Sequence, residues 1–443
     1  MKKYFISGAM LAGLMSLAAC SNDEDVVADN NGAEQQFTIT LASSGDRATR
    51  AAADRTLESE AAGQSIEKVT LIVRSQDDGA DKNKVVYIHT LDNWNGTATK
   101  YDTNGHGKKL TFTIPKADKL GAGSYVVTAV GYNESNYTLS LPNKGDVVDK
   151  NITATTPTGA EAKEVFAGEQ KFNVTADKKI EGTDASKAIQ SVDVTLHRQV
   201  AGAYGYFTSI PAKIGDTEVA SIRMVSRSKN TVLTFGSFNS SFTTTDAHVM
   251  YMVNGSVPAT KTAKFLNGDE ANVLFSAKIA DWFPGGDKNI DGVYDKKDTN
   301  WTNPYTTGSY LKGSVFASNF IVPFSATQGK STLELQLLDA TGNVLYAWPV
   351  KLDASNDQIS KTGETASADL FGAGTAMGFA ETADVFSLFR NHIYSIGIHK
   401  QNTTDPETHV PGTDEPTDLS KIQNVVIRVN DNWEALHHMS IDE

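Results

Sequence analysis

The 443-residue chain is short of the residues that staple a fold or carry out catalysis. Its one cysteine, Cys20, lies near the start, so a secreted fold has no disulfide to rely on and depends on its core. No G-x-S-x-G nucleophile motif is present. The glycine-rich segment 371–378 has the spacing G-x-G-x-x-x-G without a surrounding β-α-β pattern, which indicates a loop. We therefore expect no enzyme and no organic cofactor.

Positive charge is also scarce. Lysine and arginine total 40 against 53 acidic residues, a formal net charge of -13, which argues against nucleic acid as a partner because phosphates need clustered basic residues. Long stretches of helical periodicity are missing too. The hydrophobic content of 40% still suits two or three globular domains, and 35 glycines favour β structure with many turns.

The N-terminus has the layout of a bacterial lipoprotein signal. Lys2 and Lys3 precede an apolar run too short for a comfortable membrane span, and the run ends in Leu17-Ala18-Ala19-Cys20. This predicts a signal peptide over residues 1–19 and a lipid on Cys20. The acidic residues 21–25 that follow are either a signal for surface export or a solvated spacer.

Short alternating runs separated by turn signals fill the rest of the chain and predict an all-β sandwich fold. A polar stretch over residues 177–188 marks a boundary, which gives an N-terminal β-sandwich domain at 51–185 and a C-terminal one at 186–400. The two halves show no clear sequence repeat.

Two terminal segments share one strand pattern. Their apolar residues alternate at period 2, as in half-buried strands, and they are Phe37, Ile39 and Leu41 near the start and Val425, Ile427 and Val429 near the end. The second segment follows a polar, proline-broken stretch, so residues 401–443 are predicted to form a linker and a tethered strand. We interpret the two strands as competitors for one groove.

An arginine-bearing segment of small residues follows the first of these strands. Arg47, Arg50 and Arg55 lie within residues 43–55, a composition typical of exposed chain that a protease can reach. An arginine-bearing loop without a role is the alternative. The sequence alone does not choose among the three arginines.

Several of these motifs occur in the order found in one family. They are the Cys20 lipobox, Thr49-Arg50-Ala51, and the segments 66–73, 124–132, 194–201 and 390–396. The chain resembles the fimbrillins, the type V pilins of Bacteroidetes-type bacteria. The resemblance implies two tandem transthyretin-like β-sandwich domains and export as an outer-membrane lipoprotein to the cell surface.

The resemblance also implies a mechanism of assembly. An arginine-specific protease would cut after Arg50, or second after Arg47, and remove the lipidated propeptide 20–50 with its strand. The terminal strand of another copy, or of a related pilin, would then fill the groove. The implied function is a structural subunit of an adhesive fimbria, with a tip or anchor subunit as the alternative.

A further constellation matches the spacing of a calcium loop. Its oxygen-bearing residues surround Gly292 at the sixth position, and they are Asp287, Asn289, Asp291, Asp295 and Asp298. Asp298 replaces the usual bidentate glutamate, which shortens the reach and weakens affinity. A solvated Asp/Asn turn without calcium is the alternative.

The rival class of function is a monomeric surface lipoprotein that binds a glycan or a host protein. Tryptophans would supply the stacking surface, and they are Trp94, Trp282, Trp301, Trp348 and Trp433. Trp282 and Trp301 flank the calcium-like loop, which makes that insertion the place to look.

Overall fold

The computed structural model describes seventeen stretches of the chain. They are residues 34–41, 66–100, 108–133, 137–148, 152–155, 162–181, 191–226, 229–230, 232–235, 255–256, 272–305, 309–324, 333–352, 388, 393–399, 414–420 and 425–430. The predicted all-β sandwich fold is confirmed, since the helical elements among these residues are single turns. No helix in the described part is long and apolar enough to cross a membrane.

Ten strands occupy the first part of the described chain. They are β1 Gln36–Leu41, β2 Lys68–Ser75, β3 Val85–Leu91, β4 Thr99–Lys100, β5 Lys108–Thr113, β6 Gly123–Tyr132, β7 Thr138–Ser140, β8 Ile152–Thr155, β9 Phe166–Val174 and β10 Ser191–Arg198. Two short helical turns interrupt them, α1 at Trp94–Thr97 and a 3-10 turn at Lys116–Asp118.

Sixteen strands follow in the second part. They are β11 Ala201–Thr208, β12 Ile210–Pro211, β13 Lys213–Ile214, β14 Thr217–Glu218, β15 Ser221–Ser226, β16 Lys229–Asn230, β17 Val232–Phe235, β18 Gly255–Ser256, β19 Asn272–Lys278, β20 Val293–Tyr294, β21 Ser314–Ile321, β22 Leu333–Leu338, β23 Val344–Leu352, β24 Ile393–Ile396, β25 Thr417–Asp418 and β26 Val425–Asn430. The turn α2 spans Ile279–Trp282.

The first sheet folds into two facing layers at β10. Its strand order is β3-β2-β6-β9-β10-β1-β5-β4. Residues 191–196 of β10 pair with β1, and its last two residues pair with β9, so β10 passes from one layer to the other. A Cβ on Gly168 of β9 would lie 1.9 Å from the carbonyl oxygen of Thr195, so this crossing requires glycine. The layers enclose a core that contains Phe37 of β1 and Leu71 of β2.

The central strands of the first sheet are covered on both faces. Leu71 of β2 faces the core between the two layers, whereas the neighbouring Ile72 joins a second apolar cluster shared with strands of the other half. Pairing of β8 with β17 also links the two halves. The near-continuous apolar run of β2 therefore reflects burial on both sides.

Seven strands of the second sheet follow the strand order of the first, with one added strand inserted among them. The run β19-β15-β22-β23 corresponds to β3-β2-β6-β9, and β24, β11 and β21 correspond to β10, β1 and β5. The pairing senses agree, because β1 is parallel to β10 and antiparallel to β5, as β11 is parallel to β24 and antiparallel to β21. The short strand β25 also pairs in parallel with β11. The added strand is β26, which lies between β23 and β24, whereas β9 pairs with β10 directly.

Two segments pair differently from the sequence prediction. Residues 191–198 were placed in the domain 186–400, but as β10 they are hydrogen-bonded into the first sheet. Residues 425–430 were expected to be tethered outside the second domain, but as β26 they lie inside its sheet. The reason is that backbone pairing, which sequence patterns do not reveal, decides which sheet a strand joins.

Candidate functional site

The strand β1 fills a central slot in the first sheet. It runs parallel to β10 on one side and antiparallel to β5 on the other, with Phe37 opposite both Val192 and Phe112. Phe37 and Ile39 are fully buried, whereas Thr38 is half-buried and its hydroxyl lies 3.1 Å from that of Thr111. The structure thus places the first two of the three predicted apolar residues in the core. Leu41, the third, pairs with Leu196 in the backbone register.

Among the described strands, β1 alone connects β5 and β4 to the rest of the first sheet. On the strand path, β5 is bonded to β1 and β4, and β4 is bonded to β5. Without β1, the facing edges of β10 and β5 would present unpaired N–H and C=O groups and an apolar gap. The first sheet therefore needs some strand in this position.

Gln35, which directly precedes β1, is a feature that the sequence reasoning missed. Its side chain is fully buried, and its Oε1 accepts a hydrogen bond of 2.8 Å from the N–H of Leu120. Its Nε2 donates to the carbonyl oxygens of Leu120 and Lys178, both at 3.0 Å. The signal was available, because Gln35 lies on the same strand face as Phe37 and Ile39 and is a polar residue at an apolar position.

The predicted donor residues Val425, Ile427 and Val429 lie on β26, in the chain's own second sheet. The first part of β26 pairs in parallel with β23, and its second part pairs antiparallel with β24. Both β26 and β1 have six residues and one neighbour of each sense. Each of the two strands therefore forms backbone hydrogen bonds with one parallel and one antiparallel neighbour, in two different sheets.

The predicted lipidation and cleavage residues lie outside the described residues. Cys20 precedes β1 along the chain, and Arg47 and Arg50 fall between β1 and β2. A cut at either arginine would separate β1 from the rest of the chain in sequence. Both remain predictions.

The calcium-like loop is held by its own carboxylate–amide hydrogen bonds. Asp287 accepts N–H bonds from Ile290 and Gly292, and the Asn289 side chain accepts one from Asp291. Asp298 is fully buried, and its oxygens accept N–H bonds from Lys288, Asn289 and Asp295. The alternative of a solvated turn is therefore wrong for Asp298, which organises the loop from inside.

A lysine occupies the open side of this loop. The Lys297 ammonium lies 2.6 Å from an Asp291 carboxylate oxygen and 3.6 Å from one of Asp295. The hydrogen bond from Lys297 holds the pKa of Asp291 below its ordinary value. Among the described residues, no group of three histidine, cysteine, aspartate or glutamate side chains is arranged to hold a metal ion. Calcium binding stays a prediction.

The described tryptophans do not form a stacking surface. Trp94, Trp282 and Trp348 are buried, and Trp282 packs against Trp301, Tyr305 and Tyr310 with ring centroids 5.3 to 6.3 Å apart. Trp433 lies outside the described residues. The predicted aromatic platform is therefore wrong for these buried rings, because Trp94 belongs to the apolar cluster of the first half and Trp282 and Trp348 to the second cluster.

A buried ion pair marks the junction between the two halves. Arg198 ends β10, and two residues separate it from the start of β11 at residue 201. Its Nε donates a 2.7 Å hydrogen bond to Glu164. The two side chains are 0% and 1% exposed. The Gln199 N–H donates to the carbonyl of Val165, so both side chain and backbone fix the junction.

Comparison with known proteins gives structural likeness alone. No family model matches the chain, and no curated protein is significantly similar to it. One similar structure is the fimbrial anchor protein Mfa2 from Porphyromonas gingivalis, at 11% identity and a TM-score of 0.33, covering 90% of this chain and 98% of that one. Another is a fimbrial assembly protein from Parabacteroides distasonis, at 11% identity and a TM-score of 0.36, covering 84% and 93%. Likeness at this level says nothing about what this protein does.

Proposed function

We propose that this chain is a structural subunit of an adhesive surface fimbria that polymerises by strand exchange after a proteolytic cut. The observation that carries the proposal is the position of β1. A strand from early in the sequence lies in the interior of the first sheet, and the arginine-bearing segment that follows it offers a point of release. A second segment with the same alternation stands at the other end of the chain.

The proposed sequence of events starts at the outer membrane. The precursor reaches the cell surface with its lipid on Cys20, and an arginine-specific protease cuts after Arg50 or Arg47. Residues 20–50 leave with β1 and open the slot between β10 and β5. Residues 425–430 of another copy, or of a related pilin, then enter the slot. Strand addition of this kind satisfies the backbone ladder and buries alternate side chains.

The cut is needed because a tethered strand outcompetes a free one. While β1 belongs to the same chain, its effective concentration at the slot is far above that of another copy. After the cut, β1 can dissociate and not return. Each apolar side chain of the incoming strand contributes about 1.5–3 kcal/mol when buried, so a docked strand with three of them leaves slowly.

Donation requires β26 to leave its place between β23 and β24. The first half of the molecule indicates how the second sheet closes afterwards, since the corresponding strands β9 and β10 pair directly. Because β23 is parallel and β24 antiparallel to β26, the two strands have the antiparallel sense that direct pairing needs. The loss of the two ladders of β26 is thus partly offset by the formation of one between β23 and β24.

A ladder experiment tests the proposal. Purified precursor is treated with an arginine-specific protease and run on SDS gels without boiling. We expect a ladder of stable polymers that depends on protease and subunits whose N-terminus is Ala51 or Ala48. We expect no ladder from a variant that carries Arg47→Gln, Arg50→Gln and Arg55→Gln. Polymers whose subunits still begin at Cys20 would overturn the cleavage step.

Other outcomes would point to the alternative roles. A chain that stays monomeric after the cut fits the monomeric surface lipoprotein that binds a glycan or host protein. A chain that accepts a strand but never donates one fits a tip subunit, and a chain that assembles uncut fits an anchor.

A further inference from the structure

We infer that Gln423 of one copy takes the place of Gln35 in the next copy, and that this single buried amide sets the register and direction of the docked strand. The inference rests on the proposed function. Gln423 lies outside the described residues, and the inference depends on its position in the sequence and on the pocket that Gln35 occupies.

The pocket of Gln35 is built for a primary amide. It offers one donor, the N–H of Leu120, and two acceptors, the carbonyl oxygens of Leu120 and Lys178, and Gln35 satisfies all three. A carboxylate has no donor for the carbonyls, and an ammonium has no acceptor for the N–H. A glutamine side chain supplies both kinds of group at one end.

Departure of β1 would leave these backbone groups without their partner. Leu120 is buried when the slot is filled, so a docked strand would again shut its N–H and C=O off from water. A buried polar group without a hydrogen bond is costly, so a replacement strand that brings an amide is favoured over one that does not.

The two terminal segments match at this position. Residues 35–41 and residues 423–429 both read glutamine, then a polar residue, then three apolar residues alternating with others. With Gln423 at the position of Gln35, Val425 falls at Phe37, Ile427 at Ile39 and Val429 at the position of Leu41.

Apolar alternation by itself does not fix this alignment. A shift by two residues keeps every apolar side chain on the buried face. The pattern therefore fixes which residues face the core, but not which residue lies opposite which. A reversed strand also keeps the same residues facing the core. The amide removes both ambiguities, because the pocket lies at one end of the slot, where only a strand running parallel to β10 in one register brings Gln423.

This register assigns the remaining residues of the docked strand. Val426 falls at the position of Thr38, whose hydroxyl lies 3.1 Å from that of Thr111 on β5. Val426 therefore stands on the outer face beside Thr111, and a thiol pair at these two positions is close enough to form a disulfide. Lys109 and Thr113 are the β5 residues opposite Thr40 and Gln36, two positions away on either side.

Disulfide mapping of the polymer tests the register. A Cys20→Ser chain with Val426→Cys is combined with Thr111→Cys, and matched chains carry Lys109→Cys or Thr113→Cys instead. All three β5 positions are exposed. After protease treatment and mild oxidation, we expect a cross-link between copies only with Thr111→Cys. A cross-link with either neighbour instead would overturn the inference.

Dissociation kinetics test the amide. Gln423→Leu keeps the approximate shape but removes the hydrogen bonds, and we expect its polymers to dissociate about tenfold or more faster than wild type. Asn424→Ala, at the outward position next to it, should leave the rate within about twofold. Equal rates for wild type and Gln423→Leu would overturn the role of the amide.

The proposed function fails separately. If wild type forms no protease-dependent ladder, or if Ile427→Asp polymerises as well as wild type, strand exchange itself is overturned and the inference falls with it. If the ladder forms and Ile427→Asp abolishes it, the cross-link and the Gln423→Leu rate decide the inference alone.

Discussion

The ring of Phe37 stands edge-on against the ring of Phe172, with centroids 5.5 Å apart and planes at 82°. Phe172 belongs to β9 and in turn stacks on Tyr125 of β6. The contact joins the two layers of the first half through a strand that the proposed mechanism discards. The contact of Phe37 with Phe172 therefore stabilises the precursor and is absent from the proposed polymer.

The first prediction concerns this contact. Phe37→Ala should lower the free energy of unfolding of the precursor by about 3–5 kcal/mol, because it leaves a cavity in the core. The same change should leave the processed polymer unaffected, because residue 37 is no longer there. Denaturant unfolding of precursor and polymer measures both.

Phe172→Ala is the matched control. Residue 172 stays with the mature chain, so this variant should weaken the precursor and the polymer alike. A Phe37→Ala polymer as unstable as the Phe172→Ala polymer would show that β1 is retained, contrary to the account.

A second prediction concerns the ion pair at the junction between the halves. Arg198→Met should destabilise the chain by about 3–5 kcal/mol, because Glu164 is then a buried carboxylate without its counter-charge. Glu164→Leu combined with Arg198→Met should recover most of that loss. A double variant no more stable than Arg198→Met would mean that the pair's geometry, and not its charge balance, stabilises the junction.

The turn between β22 and β23 gives a prediction of pH dependence. Asp339 accepts hydrogen bonds from the side chains of Asn343 and Thr341 and from their backbone N–H groups, which lowers the pKa of Asp339 to about 2. A lowered pKa stabilises the folded turn above the ordinary value of 3.8, and this contribution is lost as the pH falls from about 4 towards 2. The protection factors of the amides in β22 and β23, which correct the exchange rates for their intrinsic pH dependence, should fall over that range.

Asp339→Asn is the control for the turn. It keeps one acceptor but removes the titrating charge, so exchange in its β22–β23 hairpin should lose the dependence that is specific to wild type. Identical pH profiles in both chains would assign the effect to other carboxylates.

The loop around Gly292 gives a prediction about calcium. Because Lys297 already neutralises Asp291, we expect calcium to bind weakly and Lys297→Met to bind it more tightly. Lys296→Met removes a neighbouring charge outside that ion pair and serves as the control. Calorimetric titration measures all three chains, with Asp291→Ala as the variant that should not bind. No heat of binding in wild type or Lys297→Met would contradict the calcium prediction.

Sequence patterns predicted strands better than they predicted partners. Alternation at Phe37 and Ile39 correctly indicated a buried strand, and the all-β class followed from short runs and turns. The partner of a strand depends on long-range backbone pairing, so residues 191–198 were assigned to the second domain and residues 425–430 to a tether outside it, whereas β10 pairs in the first sheet and β26 in the second. The structural repeat of the two halves was also not detectable in the sequence. Two sheets can share a strand order although their residues are not similar.

Polar residues inside the fold were the other gap. Gln35 and Asp298 each sit where burial would usually select an apolar side chain, and each satisfies backbone groups from distant turns or its own loop. A sequence pattern shows such a residue only as an irregularity. Its meaning appears once the unpaired N–H and C=O groups around it are known.

The most direct test of strand exchange between copies is a complementation of two arrested chains. One chain lacks residues 421–443 but keeps its arginines, so after the cut it can accept a strand and has none to donate. The other carries Arg47→Gln, Arg50→Gln and Arg55→Gln, so it keeps β1 and can only donate. Mixed after protease treatment, the two should form a dimer stable in SDS that contains one of each and never grows longer, while neither assembles alone. Longer polymers in the mixture, or assembly of the truncated chain by itself, would contradict the account.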